Sequence, residues 1–220
     1  MVLKHMLTTS LLLGVFAITG TLMVALTFDN TAARIAKNEY QALLKSLHAL
    51  VPPASHDNDI AHDTVTVTSK ALLGNKKSST VYLARQKGVP VAAVITAIAP
   101  DGYNGAIKLL VAIRYDGTIS GVRVIKHRET PGLGDAIEIE RSDWITSFNQ
   151  RSLKSPDELG WRVQKDGGIF DQFTGATITP RAVVKAVHRA LLYFELNRDK
   201  LFTTPKKAPT PKRAPKINGQ

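Results

Sequence analysis

Residues 6–28, MLTTSLLLGVFAITGTLMVALTF, form a run of 23 residues without a charged side chain. As a helix, at about 1.5 Å per residue, this run covers a hydrocarbon core of about 30 Å, where an unpaired backbone amide is too costly to tolerate. A secretory signal would have a shorter apolar region followed by a small-x-small cleavage site. Here the nearest small residues, Ala32 and Ala33, lie beyond Asp29. The run therefore reads as an uncleaved single-span anchor over 6–28. Lys4 precedes it, and Asp29, Arg34 and Lys37 follow it, a small charge asymmetry. A very short N-terminus, residues 1–5, is expected to stay on the cytoplasmic side while the long polar remainder crosses. In a Gram-negative bacterium that remainder would be periplasmic.

The exported part begins, over 29–89, with an amphipathic helix and the first strands. Ile35, Leu43, Leu44, Leu47 and Leu50 recur at helical spacing over 31–50, and Pro52-Pro53 ends the pattern. His56, Asp57, Asp59, His62 and Asp63 crowd the next loop, but it lacks the glycine of a calcium loop and reads as a solvated connection. Strand-like runs follow at 64–71, 79–86, 90–99, 106–115 and 119–127, with turn signals at Lys87-Gly88 and Asp116-Gly117. They predict a curved, largely antiparallel sheet, hence an α+β fold with flanking helices. Residues 142–150 read as a short helix burying Trp144, Ile145 and Phe148. Over 180–194, Val183, Val184, Val187, Leu191 and Phe194 share one helical face, with Thr179 as N-cap and Pro180 first in the helix. Residues 203–220 carry Lys206, Lys207, Lys212, Arg213 and Lys216 among four prolines and no acid, and are expected to be a disordered basic tail.

That tail supplies much of the formal +11 charge. The body concentrates no arginines and shows no aromatic stacking pattern, so nucleic acid is not expected as a partner. Cysteine is absent, which removes disulfides, thiolate metal sites and cysteine nucleophiles, and leaves redox chemistry to a bound cofactor. No GxSxG elbow, GxxxxGK[ST] loop or HExxH helix occurs, and no metal site is expected.

Two segments have the composition of a ligand site. In His127-Arg128-Glu129-Thr130-Pro131-Gly132-Leu133-Gly134-Asp135, two glycines around one leucine permit unusual backbone angles and close approach by a flat ligand, with Glu129 and Thr130 offering hydrogen bonds. A plain Pro-Gly turn after a strand is the alternative. In Asp171-Gln172-Phe173-Thr174-Gly175-Ala176-Thr177, Gly175 and Ala176 clear space around the Thr177 hydroxyl, just before a helix start whose free N–H groups favour a phosphate. That hydroxyl could be a ligand contact, an attachment point or part of a solvated cap. As a hydrolytic nucleophile it lacks an evident base, since His127 reads as a strand-end residue and His188 as a helix-surface one.

The pattern Asp171-x-x-Thr174-Gly175-Ala176-Thr177 resembles the D-x-x-[ST]-G-A-T signature of domains with covalently attached FMN. The run His127-x-Glu129-Thr130-Pro131-Gly132-Leu133-Gly134 resembles their second signature. With Gly102-Tyr103-Asn104-Gly105, the likeness covers about 90–195, read as the FMN-binding domain, and the stretch 170–184 looks particularly like the G subunits of Rnf (Rsx) ion-translocating electron transport complexes. The C subunits of sodium-translocating NADH:quinone reductases share the domain and are the second choice. A membrane-anchored periplasmic binding or scaffold module without flavin is the rival from another class.

The resemblance implies that Thr177 carries FMN through a phosphoester installed from FAD by a flavin transferase with magnesium, Asp171 belonging to the segment that enzyme recognises. It further implies that Glu129, Thr130 and Leu133 line the flavin, with Thr174, Gly175 and Ala176 around its phosphate. It makes the protein an electron-carrying subunit among the other Rnf/Rsx subunits in the inner membrane, working between ferredoxin and NAD or keeping a redox-sensing regulator reduced. The related sodium-pump subunit tends to have a tryptophan near the ring where this chain has Asn104.

Overall fold

The computed structural model describes residues 2–75 and 77–203, so the tail expected over 203–220 lies outside the described residues from 204 onward. The chain divides into two units, residues 1–45 and 46–220.

The first unit holds most of α1 (Val2–Leu50), a helix of 49 residues. Within it lies an 18-residue window of mean hydropathy 2.2 with none of its residues buried, long and apolar enough to cross a membrane. Leu11, Phe16, Ile18 and Val24 are all exposed, as a helix facing lipid requires.

The second unit is built on one antiparallel meander in the order β1 (Thr64–Val67), β2 (Ser79–Gln86), β3 (Val89–Ala99), β4 (Ile107–Arg114) and β5 (Ile119–Lys126). Together with its helices it gives the expected α+β fold. Lys87 and Gly88 both take positive φ, 50° and 80°, which supplies the twist of a two-residue hairpin between β2 and β3. The strand expected over 64–71 is cut short at Val67. Ser69 accepts a hydrogen bond from Leu72 N and caps the one-turn helix α2 (Lys70–Leu73) instead.

The middle of the sheet is buried on both faces, which is why β3 and β4 read as near-continuous apolar runs rather than alternating ones. Ile95, Ala97, Leu109 and Val111 face α3 (Ile178–Thr203), where Val183, Val187, Leu191 and Phe194 complete the core. On the opposite face Val94, Leu110 and Ala112 are buried as well. There Leu50 lies over Gly121, where an added Cβ would come within 2.8 Å of its Cδ2, and Ser120 Oγ donates to the Leu50 carbonyl at 3.0 Å. Phe148 and Trp144, on a 3-10 turn (Asp143–Phe148) capped by Ser142, close the core near β5 as expected.

Two expectations change in detail. The helix expected over 180–194 begins earlier and runs on to Thr203, with Leu201 and Phe202 buried near its end. The acidic loop is not simply solvated. Asn58 donates to Asp63 Oδ2 and the Leu83 carbonyl, Asp57 accepts from Lys87 N, and Arg85 reaches Asp63, so the loop is clamped to β2.

Candidate functional site

The two signature segments fold as two tight turns that meet. In the first, Pro131 and Gly132 occupy the central positions, Gly132 with φ 76°, while Leu133 N and Gly134 N donate to the Thr130 carbonyl at 3.2 and 3.0 Å. In the second, Thr174 and Gly175 are central, Gly175 with φ 80°, and Ala176 N donates to the Phe173 carbonyl at 3.1 Å. A positive φ at the third residue is what a type II turn demands, and glycine meets it without a steric penalty. The turns are close neighbours: a Cβ placed on Gly175 would lie 3.4 Å from Leu133 Cδ2.

Glu129 ties this arrangement to the fold. It is 4% exposed, and its carboxylate accepts from Tyr103 N at 3.3 Å, Asn104 N at 3.0 Å and the Thr179 hydroxyl. Each oxygen is engaged by protein donors, so a carboxylate that would be costly alone in the interior is held by three. Close approach on both sides depends on glycine. A Cβ at Gly134 would come within 2.9 Å of Glu129 Cβ, and one at Gly102 within 3.0 Å of Glu129 Oε1. Asn104 Nδ2 donates to Thr130 Oγ1 at 3.1 Å, so the Gly102-Tyr103-Asn104-Gly105 turn packs beside the first signature. His127 bridges outward, with Nδ1 accepting from Glu129 N at 3.0 Å and Nε2 on Glu138 at 2.7 Å, which assigns the ring proton to Nε2.

Thr177 lies directly before the first residue of α3. The N-cap expected at Thr179 is therefore displaced: Thr179 is inside the first turn, fully buried, and spends its hydroxyl on Glu129. Pro180 is third in the helix rather than first, still within the turn whose N–H groups have no carbonyl partner. Thr177, partly exposed, sits where those N–H groups and the positive end of the helix dipole favour an anion.

Behind the second turn, Trp144 Nε1 donates to the Asp171 carbonyl at 2.9 Å and its ring meets Phe173 edge-on at 5.1 Å. The Asp171 side chain itself is exposed. The structure thus brings Glu129, Thr130, Leu133, Thr174, Gly175, Ala176 and Thr177 into one neighbourhood and leaves Asp171 on its outer flank.

Sequence reasoning missed the groups along α3. His188 is not a free surface residue: its ring stacks on the buried Trp161 at 5.2 Å and 14°, and burial lowers its pKa below the ordinary histidine value. The pair lines a cleft of about 460 Å³ with Ile178, Arg181 and Lys185. Arg181 binds Asp166 through two bonds of 2.5 and 2.6 Å, and this contact holds the Asp166 carboxyl below its usual range. Trp161 carries no motif, and only its distance from α3 in space, not in sequence, reveals the contact.

Around Thr177 the surface is apolar for a soluble face: Leu133 is 44%, Ile178 46% and Tyr103 66% exposed. A hydroxyl at a helix start flanked by exposed apolar side chains and open glycine turns suits a ligand with a phosphate at one end and a flat apolar ring at the other. Both carboxylate oxygens of Glu129 accept from protein donors, which fixes the position of this side chain at the site.

A family model described as the FMN-binding domain matches residues 102–192, which contain both turns, Glu129 and the first half of α3. The fold and site define an FMN-binding-domain protein. A second model, the RnfG N-terminal region, matches residues 1–50. The chain is 50% identical over 193 residues to the G subunit of the ion-translocating oxidoreductase complex from Pseudoalteromonas atlantica, covering 88% of this chain and 90% of that one. It is 49% identical to the protein of that name from Pseudomonas aeruginosa over 199 residues, covering 90% and 93%, and 48% identical to that of Shewanella oneidensis over 200 residues, covering 91% and 94%. The chain belongs to the family of G subunits of ion-translocating oxidoreductase complexes.

Proposed function

We infer that this chain is the flavoprotein subunit of a membrane-bound ion-translocating oxidoreductase complex, with FMN attached by a phosphoester to Thr177. The observation that carries the reading is the meeting of the Leu133 and Gly175 turns beside a threonine hydroxyl at the start of α3. FMN, when bound, supplies the electron-carrying chemistry, and the protein supplies position and electrostatics. Thr177 anchors the phosphate at the positive end of α3. Leu133 offers apolar surface to the ring, while Thr130 and Asn104, hydrogen-bonded to each other, orient that edge of the site. Glu129 ties the loop after β5 to the Tyr103-Asn104 turn and to the first turn of α3. Thr174, Gly175 and Ala176 keep the approach to Thr177 open.

In this reading α1 crosses the inner membrane once, with residues 1–5 inside and the flavin domain in the periplasm. A flavin transferase recognises the segment from Asp171 and transfers FMN from FAD with magnesium. Covalent attachment then prevents loss of a cofactor that is not replenished outside the cytoplasm. The match over residues 1–50 to the RnfG N-terminal region favours membership of an Rnf-type complex over the sodium-translocating NADH:quinone reductase.

The test is intact mass and in-gel flavin fluorescence after denaturation, comparing wild type with Thr177→Ala in a host that exports the domain and supplies the transferase. An added mass of one FMN less one water, and fluorescence, both lost in the variant, are expected. Their absence from the wild type, with the transferase active on a control, would leave the scaffold module as the better reading.

A further inference from the structure

Five basic side chains of the domain have a carboxylate partner: Arg85 has Asp63, Arg141 has Asp135, Arg181 has Asp166, Lys185 has Asp101 and Arg198 has Glu195. The end of the sheet beside Asn104 is different. Lys108, near the start of β4, and Lys126, the last residue of β5, are directly opposite each other in the antiparallel register, and both are exposed. Directly opposed residues project from the same face, and two like charges in that relation destabilise a sheet. Arg128, also exposed, follows two residues after Lys126. These three cations line a recess of about 290 Å³ with His127, Asn104 and Gly105, and no carboxylate lines it. Among the described residues none of the three has an ion pair or side-chain hydrogen bond, and His127 is already committed to Glu138 and Glu129 N.

The recess shares Asn104 with the first signature turn, through its bonds to Thr130 Oγ1 and Glu129. A cluster of three cations without a carboxylate among its lining residues is thus held next to the proposed flavin. Its donors are the tips of long, exposed side chains on β4, β5 and the following loop. Such donors suit carboxylates spread over a protein face better than one small anion, which needs buried groups converging on a point.

We propose that Lys108, Lys126 and Arg128 form a docking surface for a carboxylate-bearing face of another subunit of the complex, next to the flavin turn. The patch steers and orients that subunit, and its charge removes the cross-strand repulsion that the free domain carries. This rests on the reading of the chain as a subunit of the complex.

The test uses the full chain in native membranes with its complex, against the full chain expressed without the other subunits and reconstituted into anionic vesicles. Lysine acetylation is followed residue by residue, with exposed Lys154 as the internal control. Acetylation of Lys108 and Lys126 is expected to be several-fold slower in the complex only, and a water-soluble carbodiimide is expected to link them to Asp or Glu of another subunit. The combined Lys108→Glu, Lys126→Glu and Arg128→Glu variant should lose these links and release the other subunits at lower salt, with flavin fluorescence and attached mass retained. Equal acetylation in an intact complex overturns the docking surface alone. Protection already present in the lone chain assigns the patch to lipid phosphate and overturns it too, as does protection by inorganic phosphate. Purified wild type that brings no other subunit overturns both the docking surface and the subunit reading on which it rests.

Discussion

The Thr179 hydroxyl donates to Oε2 of Glu129, joining the first turn of α3 to the loop after β5 across 50 residues of sequence. This contact ties the loop that offers Leu133 to the helix start that follows Thr177. The carboxylate also gathers the amides of Tyr103 and Asn104, so three separate segments converge on one buried charge.

Thr179→Val keeps the shape of the side chain and deletes the donor. The buried carboxylate is left under-satisfied, and a loss of about 1–3 kcal/mol in unfolding free energy is expected, measured by chemical denaturation. Thr179→Ser, which keeps the hydroxyl, should lie close to wild type. Equal losses from both would show that the methyl group, not the hydrogen bond, matters at this position.

The glycines of the two turns should respond unequally to alanine. At Gly132 and Gly175 there is room for a methyl group, but φ of 76° and 80° makes it strained, costing about 1–2 kcal/mol. At Gly134 the added Cβ collides with Glu129 Cβ and lies 3.1 Å from Thr179 Oγ1, so Gly134→Ala should be the most damaging of the three. Thermal unfolding of the set gives the order directly.

His188 makes stability depend on pH with a definite sign. Burial against Trp161 lowers its folded pKa, with Arg189 adding to the effect and Glu158 opposing it. Between the folded value and the unfolded one of about 6.5, the unfolded chain binds more protons, so stability falls as pH drops through that window. His188→Gln should flatten this slope as pH falls below the ordinary histidine value of about 6.5, read from denaturation midpoints. A slope unchanged in the variant would place its origin elsewhere.

How far the sequence anticipates the structure follows from how local each feature is. Strands β2 to β5 are set by apolar runs and by Lys87-Gly88 and Asp116-Gly117, all readable within a few residues. The α3 face is equally legible through Val183, Val187 and Leu191. Thr179 misleads because a threonine directly before a proline and an apolar helical face satisfies the local rules for a cap, whereas its partner is a glutamate far away in the chain. The Trp161 stack on His188, and the clamp from Asn58 to β2, are likewise tertiary contacts that no periodicity encodes. Both signature turns are visible as glycine positions, but that Leu133 and Gly175 become neighbours is a property of the fold alone.

Asp171 should separate maturation from stability. Its backbone carbonyl is held by Trp144 Nε1 at 2.9 Å, while its side chain is exposed and makes no hydrogen bond among the described residues. Asp171→Ala is therefore expected to change unfolding free energy by no more than about 0.5 kcal/mol, the usual range for such surface sites. Trp144→Phe, which deletes the bond to that carbonyl, should cost about 0.5–1.5 kcal/mol more than the packing change alone. If a transferase reads the Asp171 carboxylate, the alanine variant will be fully folded yet poor in covalent flavin, measured as fluorescence per mole of denatured protein. Normal flavin content in Asp171→Ala would show that the enzyme recognises the backbone of the turn and not this side chain.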